Sequence, residues 1–138
     1  MRVRMTIKGR PLVEGRALGR ILYSERPISF YGGVDPHTGI VVERDHPLNG
    51  VSVSGKILIF PYGKGSTVGS YVLLRLKMRG LAPSGIVNVE SEPIIVVGCE
   101  ISSIPLMDKP EVRLSKDMDG CMGELIVERD TAILRVFE

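Results

Sequence analysis

A short glycine-rich segment between two apolar stretches carries the residues best suited to chemistry. It contains Gly63, Lys64, Gly65 and Ser66, and a helical hydrophobic period follows directly. Glycines let the backbone adopt positive φ angles and approach a ligand, and a helix N-terminus presents unpaired N–H groups and a positive dipole end. The segment is therefore a candidate anion site in which Ser66 also caps the helix. A tight turn closed by that cap is the alternative.

The spacing of this segment excludes a nucleotide-binding P-loop. That motif requires a Gly-Lys pair followed directly by Ser or Thr, with a further glycine before it at a fixed distance. Here Lys64 precedes Gly65, and Phe60 occupies the position where the earlier glycine would stand.

A second unusual loop runs from Ser29 to Gly39. It combines two aromatic residues with a glycine pair and an Asp-Pro turn, more large side chains than a simple connection needs. Loops of this kind commonly contact ligands. A packed loop that covers one end of a barrel, with Asp35 as a turn former and His37 as an exposed ring, is the alternative.

The cysteine and histidine content argues against a metal centre in this chain. Cys99 and Cys121 are 22 positions apart without C-x-x-C spacing, and no helix pairs His37 with His46. Structural zinc sites and four-thiolate iron–sulfur clusters need more such ligands. We therefore predict no metal bound by this chain, two reduced core thiols, and His46 as a polar group of a turn.

Length and charge narrow the class of protein. The chain has 138 residues, 43% of them hydrophobic and 25% charged, which is typical of one globular domain spanning residues 1–138. A net charge of +2 predicts no nucleic-acid binding. Residues 1–20, however, hold six basic residues against one acidic, a net +5. That stretch is either a solvated face or a surface for an anion or a partner.

No apolar run approaches the roughly 18 residues that a membrane span requires. The N-terminal charges are not followed by the apolar core of a signal peptide. We expect a cytoplasmic protein without membrane contact.

Hydrophobic periodicity predicts a strand-rich chain with one main helix. Apolar positions from Val68 to Leu76 have a helical period, and Gly80 ends it. A weaker helix is predicted over Ser102–Met107, and four polar residues, Glu128–Thr131, predict a closing hairpin. The predicted strands are Val3–Lys8, stopped by Gly9 and Pro11, and then Ala17–Tyr23, Ile40–Val42, Lys56–Phe60, Ile86–Val89, Ile94–Val97, Leu125–Glu128 and Ala132–Phe137. This pattern favours a mixed α/β fold with a barrel-like β core.

Three motifs together resemble the small swivelling domain of the aconitase X family. They are Ser29-Phe30-Tyr31-Gly32-Gly33-Val34-Asp35-Pro36, then His46-Pro47-Leu48, then Gly55-Lys56 leading a strand into Gly63-Lys64-Gly65-Ser66-Thr67-Val68-Gly69-Ser70. The resemblance extends over residues 9–100. It implies a swivelling β/β/α fold with its main helix after the Gly-Lys-Gly-Ser loop.

In that family the domain is either fused to a large catalytic part or made as a separate small subunit, and this chain resembles the separate form. The resemblance implies a heterodimer whose large subunit carries an iron–sulfur cluster of the 4Fe–4S type, with no cofactor on this chain. The implied reaction is the dehydration of a small phosphorylated hydroxy acid, (R)-5-phosphomevalonate, to trans-anhydromevalonate 5-phosphate in a modified mevalonate pathway. Dehydration of cis-3-hydroxy-L-proline is the alternative family activity.

The family's catalytic base is the serine after the second glycine, which corresponds to Ser66. A hydroxyl becomes a base only when its anionic form is stabilised, as backbone N–H groups at a helix N-terminus can do. Ser66 is then expected to remove the proton from the carbon beside the substrate carboxylate, while cluster iron on the partner polarises the leaving hydroxyl.

The resemblance also implies substrate-binding roles around Ser66. Backbone groups of Gly65, Thr67 and Val68 would support the anion, and Lys64 would add positive charge or lie in solvent. The wall of the pocket would be formed on domain closure by Tyr31, Gly32, Gly33 and Asp35. A stand-alone module that binds a phosphorylated metabolite or an acidic partner without catalysis is the competing hypothesis, supported by the basic N-terminal stretch together with the anion-binding helix end.

Overall fold

Seven strands and two ten-residue helices form the framework of the chain. The computed structural model describes residues 1–138. In chain order the elements are β1 Val3–Val13, β2 Gly15–Tyr23, a four-residue turn α1 Phe30–Gly33, β3 Ile57–Phe60, α2 Gly69–Met78, β4 Gly85–Asn88, α3 Pro93–Ser102, β5 Leu106–Asp108, a 3-10 turn Lys116–Met118, β6 Met122–Val127 and β7 Ala132–Phe137.

The strands close into a barrel in the order β1-β5-β4-β3-β2-β6-β7. The four neighbours β2, β3, β4 and β5 are parallel, whereas β1, β6 and β7 join antiparallel. The prediction of a mixed, strand-rich α/β fold with a barrel-like core is confirmed. Because the carboxyl ends of the parallel strands lie at one end of the barrel, the glycine-rich segment after β3 emerges at that end.

Strand β3 separates two hydrophobic clusters. Ile57 and Ile59 point into the barrel and join a cluster of 14 buried residues. Leu58 and Phe60 point outward and join 18 buried residues, including those from α2 and α3. A strand covered on both faces is apolar at every position, which explains the continuous Ile-Leu-Ile-Phe run.

The predicted strand Ile94–Val97 is wrong, because these residues lie in α3. The Glu92 carboxylate accepts hydrogen bonds from the backbone N–H groups of Ile94 (2.8 Å) and Ile95 (3.2 Å), and Pro93 occupies the first turn. Both features start helices. The chain therefore has two principal helices rather than one.

The predicted helix over Ser102–Met107 is also wrong. Helix α3 ends at Ser102, Ser103 adopts a left-handed φ of 53°, and Leu106 begins β5. The predicted strand Ile40–Val42 is reduced to isolated bridges with Val34 and Ser52.

Strand β1 continues through the predicted stop at Gly9 and Pro11. A side chain at Gly9 would come within 2.7 Å of the Asp108 carbonyl oxygen, so this glycine permits close strand pairing rather than a turn. Pro11 pairs with Met107 just before a register shift in β1.

Two local predictions are confirmed. The Glu128 N–H donates to the Thr131 carbonyl (2.8 Å) in the turn between β6 and β7. Helix α2 ends at Met78, and Gly80 follows as the predicted C′ stop with a φ of +73°. The Leu81 N–H donates to the Leu76 carbonyl (2.9 Å), as in a Schellman motif.

Candidate functional site

The glycine-rich segment leaves β3 and passes over the start of α3. Gly63 pairs with Ile28 in a parallel bridge. A Cβ at Gly63 would lie 2.5 Å from both the Glu92 Oε1 atom and the Ile95 Cγ1 atom, so only glycine fits there. The capped N-terminus of α3 therefore packs directly against the segment and supports it.

The segment also packs against the loop that begins at Ser29. The Lys64 N–H donates to the Ile28 carbonyl (3.1 Å), and the Phe30 and Phe60 rings meet edge to face with centroids 6.1 Å apart. Gly65 has a φ of +90°, and a Cβ there would lie 2.6 Å from Ser29 Oγ. The two loops that the sequence singled out are thus direct neighbours.

Ser66 is exposed at the start of the turn that leads into α2. Its Oγ accepts a hydrogen bond from the Val68 N–H (3.1 Å), and its carbonyl accepts from the Gly69 N–H (3.0 Å). Helix α2 begins at Gly69 and its N-cap position is Val68, so the prediction that Ser66 caps this helix is wrong. The Ser66 oxygen therefore stabilises the preceding turn, not the first helical residue.

Three consecutive backbone donors, at Ser66 and at the residues on either side of it, have no partner in the chain. The N–H groups of Gly65, Ser66 and Thr67 make no hydrogen bond within the chain. The axis of α2 adds its positive dipole end at the same place. This arrangement can bind an anion or stabilise an ionised Ser66 oxygen.

Helix α3 holds the start of α2 in position. The buried Ser70 hydroxyl donates to the Ile94 carbonyl (2.7 Å), and a Cβ at Gly98 would meet Leu73 Cδ1 at 2.6 Å. The helices therefore approach closely at these small residues. The sequence analysis did not identify Ser70 and Glu92 as residues that hold the start of α2 in position. An acidic residue directly before a proline, as at Glu92, is nevertheless a pattern that predicts a helix start.

A cleft of about 420 Å³ lies between the two loops. The Lys64 ammonium forms an ion pair with the Glu43 carboxylate inside it, with 3.0 Å between Nζ and Oε2. The cleft is lined by Ser29, Tyr31, Gly32, Gly33, Glu43, Lys64 and Gly65. The structure thus brings five of the predicted residues together, and adds Glu43, which no sequence motif indicated.

Two further predicted residues line a second cleft, and Ser66 lines neither of the two. Val68 and Asp35 line it with Tyr31 and Tyr71, in a space of about 420 Å³. The Asp35 carboxylate accepts from the His37 N–H (2.8 Å), which is the turn role that the sequence allowed. Thr67 lies on the opposite side of Val68, in a small apolar groove between α2 and α3.

The cysteines of this chain do not fit an iron–sulfur cluster. Cys99 lies fully buried in α3, where desolvation raises the pKa of its thiol. Cys121 is partly exposed, 3.9 Å from Arg4 Nη1, and both thiols are free. No group of three or more His, Cys, Asp or Glu side chains is placed to share an ion.

His46 has a structural role in the loop that leads to the site. Its ring is buried, with Nδ1 accepting from the Leu48 N–H (3.0 Å) and Nε2 lying 3.1 Å from the Pro27 carbonyl. These contacts agree with the predicted turn. None of the helices is long and apolar enough to cross a membrane.

Two arginines of the basic N-terminal stretch form close ion pairs with carboxylates of other strands. Arg10 makes a bidentate pair with buried Asp108, at 2.8 Å for both bonds, and that bond raises the pKa of Arg10. Arg16 pairs with Glu124 at 2.7 Å. Arg4 and Arg20 instead contact the carbonyls of Asp117 and Gly120, so part of the positive charge of this stretch has no carboxylate partner.

Comparison with known proteins identifies the class that this barrel and its glycine-rich segment define. The family model of the aconitase X swivel domain matches residues 6–136, and the chain belongs to that family. It is 58% identical to the phosphomevalonate dehydratase small subunit of Methanosarcina acetivorans over 109 residues, 79% of this chain and 76% of that protein. It is 45% identical to the subunit of the same name from Thermococcus kodakarensis, covering 91% of this chain and 98% of that one.

A solved structure supports the same relationship. The crystal structure of holo-form aconitase X from Thermococcus kodakaraensis superposes with a TM-score of 0.88 at 41% identity, covering 97% of this chain and 99% of that chain. The predicted family is confirmed.

Proposed function

We propose that this chain is the small subunit of a hydro-lyase that dehydrates (R)-5-phosphomevalonate to trans-anhydromevalonate 5-phosphate. The observation that carries the proposal is its 58% identity to a relative that is named phosphomevalonate dehydratase small subunit. Such a subunit would contribute the unpaired backbone N–H groups around Ser66, which can stabilise an anion.

Ser66 is the proposed base. Its Oγ already accepts the Val68 N–H, and the free N–H groups of Gly65 and Thr67 lie next to it in sequence. An alkoxide at this position is stabilised by these donors and by the α2 dipole. It takes the proton from the carbon beside the substrate carboxylate, becomes a neutral hydroxyl, and later returns that proton to solvent as the substrate loses hydroxide.

The rest of the enzyme is proposed to lie on a large subunit. Because the thiols of this chain do not fit a cluster, the 4Fe–4S group expected for the family would be held by that partner. The proposed assembly is a heterodimer in the cytoplasm, a location that agrees with two unbridged cysteines. Residues 1–138 would act together as one swivelling unit, without contact to nucleic acid or membrane.

The stand-alone binding module loses part of its support. That hypothesis rested on the basic N-terminal stretch together with the anion-binding helix end, and two of the basic residues, Arg10 and Arg16, are paired with Asp108 and Glu124.

Reconstitution tests the proposal directly. The chain alone should have no dehydratase activity, and mixing it with its large partner should produce turnover of (R)-5-phosphomevalonate. Activity on cis-3-hydroxy-L-proline and not on the phosphorylated acid would instead assign the other family reaction. A chain that turns over substrate without a partner would refute the subunit proposal.

A further inference from the structure

Glu43 lines the cleft between the two loops and has no role in the function described so far. Its side chain is 21% exposed, against 41% for that of its ion-pair partner Lys64. Because the carboxylate is partly buried, solvent screens this pair less than it screens a fully exposed pair. The two charges come from positions 21 residues apart, so tertiary structure alone brings them together.

The backbone that carries Glu43 is fixed on both sides. The Glu43 N–H donates to the Gly33 carbonyl (3.3 Å), and the Glu43 carbonyl accepts from Asn49 Nδ2 (3.0 Å). The Glu43 Oε1 atom lies 3.2 Å from the position that a Cβ of Gly33 would occupy, so a side chain at Gly33 would crowd the carboxylate. The acid is therefore mounted rigidly on the loop that forms one wall of the cleft.

Lys64 is held at its backbone as well, through the Lys64 N–H bond to the Ile28 carbonyl. Its side chain has four rotatable bonds, and without a partner the ammonium would sample solvent. The Glu43 carboxylate is the only charged group within ion-pairing distance of that ammonium. The pair keeps the positive charge beside Gly65, one residue from Ser66.

We propose that Glu43 is a positioning residue that holds the Lys64 ammonium in the cleft so that Lys64 can bind an anionic group of the substrate. The proposal rests on the proposed function, because it deepens the description of the same site. Lys64 binds the substrate anion in the ground state and in the transition state alike, so Glu43 acts on KM more than on kcat. Glu43 has no effect of its own once Lys64 is absent.

A double-mutant cycle in the reconstituted enzyme tests the link. Lys64→Met should raise KM for 5-phosphomevalonate about tenfold, the size of one lost charge-assisted contact. Glu43→Gln should raise KM several-fold, and the double variant should match Lys64→Met alone. Glu138→Gln, which removes the carboxylate of an exposed pair with Arg2, is the matched control and should leave KM unchanged. Independent, multiplying effects would overturn the proposal, and so would a lower KM in Glu43→Gln.

A second measurement separates this proposal from the assignment of substrate. Acylation of lysines in the isolated chain, followed by mass spectrometry, should modify Lys64 several-fold faster in Glu43→Gln than in the wild type. Exposed Lys77 on α2 is the internal reference. An unchanged rate at Lys64 would show that the pair does not form and would overturn the proposal. Lys64 could be labelled faster in Glu43→Gln while the wild-type complex fails to turn over 5-phosphomevalonate. That result would refute the proposed substrate and would still support the Glu43–Lys64 pair.

Discussion

The N-termini of α2 and α3 lie side by side and are completed in opposite ways. Both helices have ten residues and pack against each other through Ser70 and Gly98. The first N–H groups of α3 are occupied by the Glu92 carboxylate, whereas Gly65, Ser66 and Thr67 before α2 leave theirs unused. Backbone donors are normally satisfied by the protein or by water. The α2 end is therefore open to water or to an anion, whereas the α3 end is closed by its cap and packs against the α2 end.

Removing the hydroxyl from the open end should have the largest effect. In the reconstituted complex, Ser66→Ala should lower kcat by about a thousandfold or more, because no other group would accept the proton. The free energy of unfolding should fall by no more than about 1 kcal/mol, since only one exposed hydrogen bond is lost. Steady-state kinetics and urea denaturation measure the two quantities.

Ser115→Ala is the matched control for that variant, because Ser115 is also exposed and its hydroxyl caps nothing. It should leave kcat unchanged. If Ser66→Ala kept wild-type turnover, Ser66 would not be the base and the open donors would serve binding alone.

A side chain at Gly65 should distort the open end without removing any chemical group. Gly65→Ala combines a φ of +90° with a Cβ position 2.6 Å from Ser29 Oγ. We expect a loss of stability of about 1–3 kcal/mol and a fall in kcat/KM of about a hundredfold, because Ser66 would move relative to the substrate.

Gly120 offers the control for the backbone cost alone. It has a φ of +80° and nothing within 4 Å of a Cβ position, so Gly120→Ala carries the strain without the clash. Its stability should fall by about 1 kcal/mol with full activity. Equal activity in the two alanine variants would mean that the contact with Ser29 does not position the segment.

The open end was predictable from sequence because its chemistry is local. Two glycines, a serine and a helical period lie within one short segment. The strands of the barrel are equally predictable from their alternating hydrophobic pattern. The supporting end was missed because Ile94–Val97 is a run of β-branched residues, which favours a strand until the Glu92-Pro93 start signal is weighed. Glu43 could not be found at all, since its pairing with Lys64 depends on the Ile28–Gly63 bridge between distant segments.

Removing the cap of α3 should affect the free energy of unfolding more than it affects kcat. Glu92→Ala removes both acceptors for the Ile94 and Ile95 N–H groups and should lower the free energy of unfolding by about 1–2 kcal/mol. Because Gly63 rests on Glu92, kcat should also fall, but by about tenfold or less. Urea unfolding and kinetics of the same samples give both values. A loss of activity as large as that of Ser66→Ala would show that the closed end takes part in the reaction itself.

The smallest expected effect concerns a buried thiol of α3, the helix that supports the α2 end. Cys99 lies on α3 with no exposed surface, and burial raises the pKa of its thiol, so almost no thiolate exists near neutral pH. In the folded chain at pH 8, iodoacetamide should therefore modify partly exposed Cys121 and spare Cys99, as read by mass spectrometry. Urea at a concentration well below the unfolding midpoint should leave this labelling pattern unchanged if α3 stays folded against the core while the glycine-rich segment moves. Labelling of Cys99 at the rate of Cys121 would mean that α3 opens readily in solution, and the rigid support inferred for the α2 end would then be wrong.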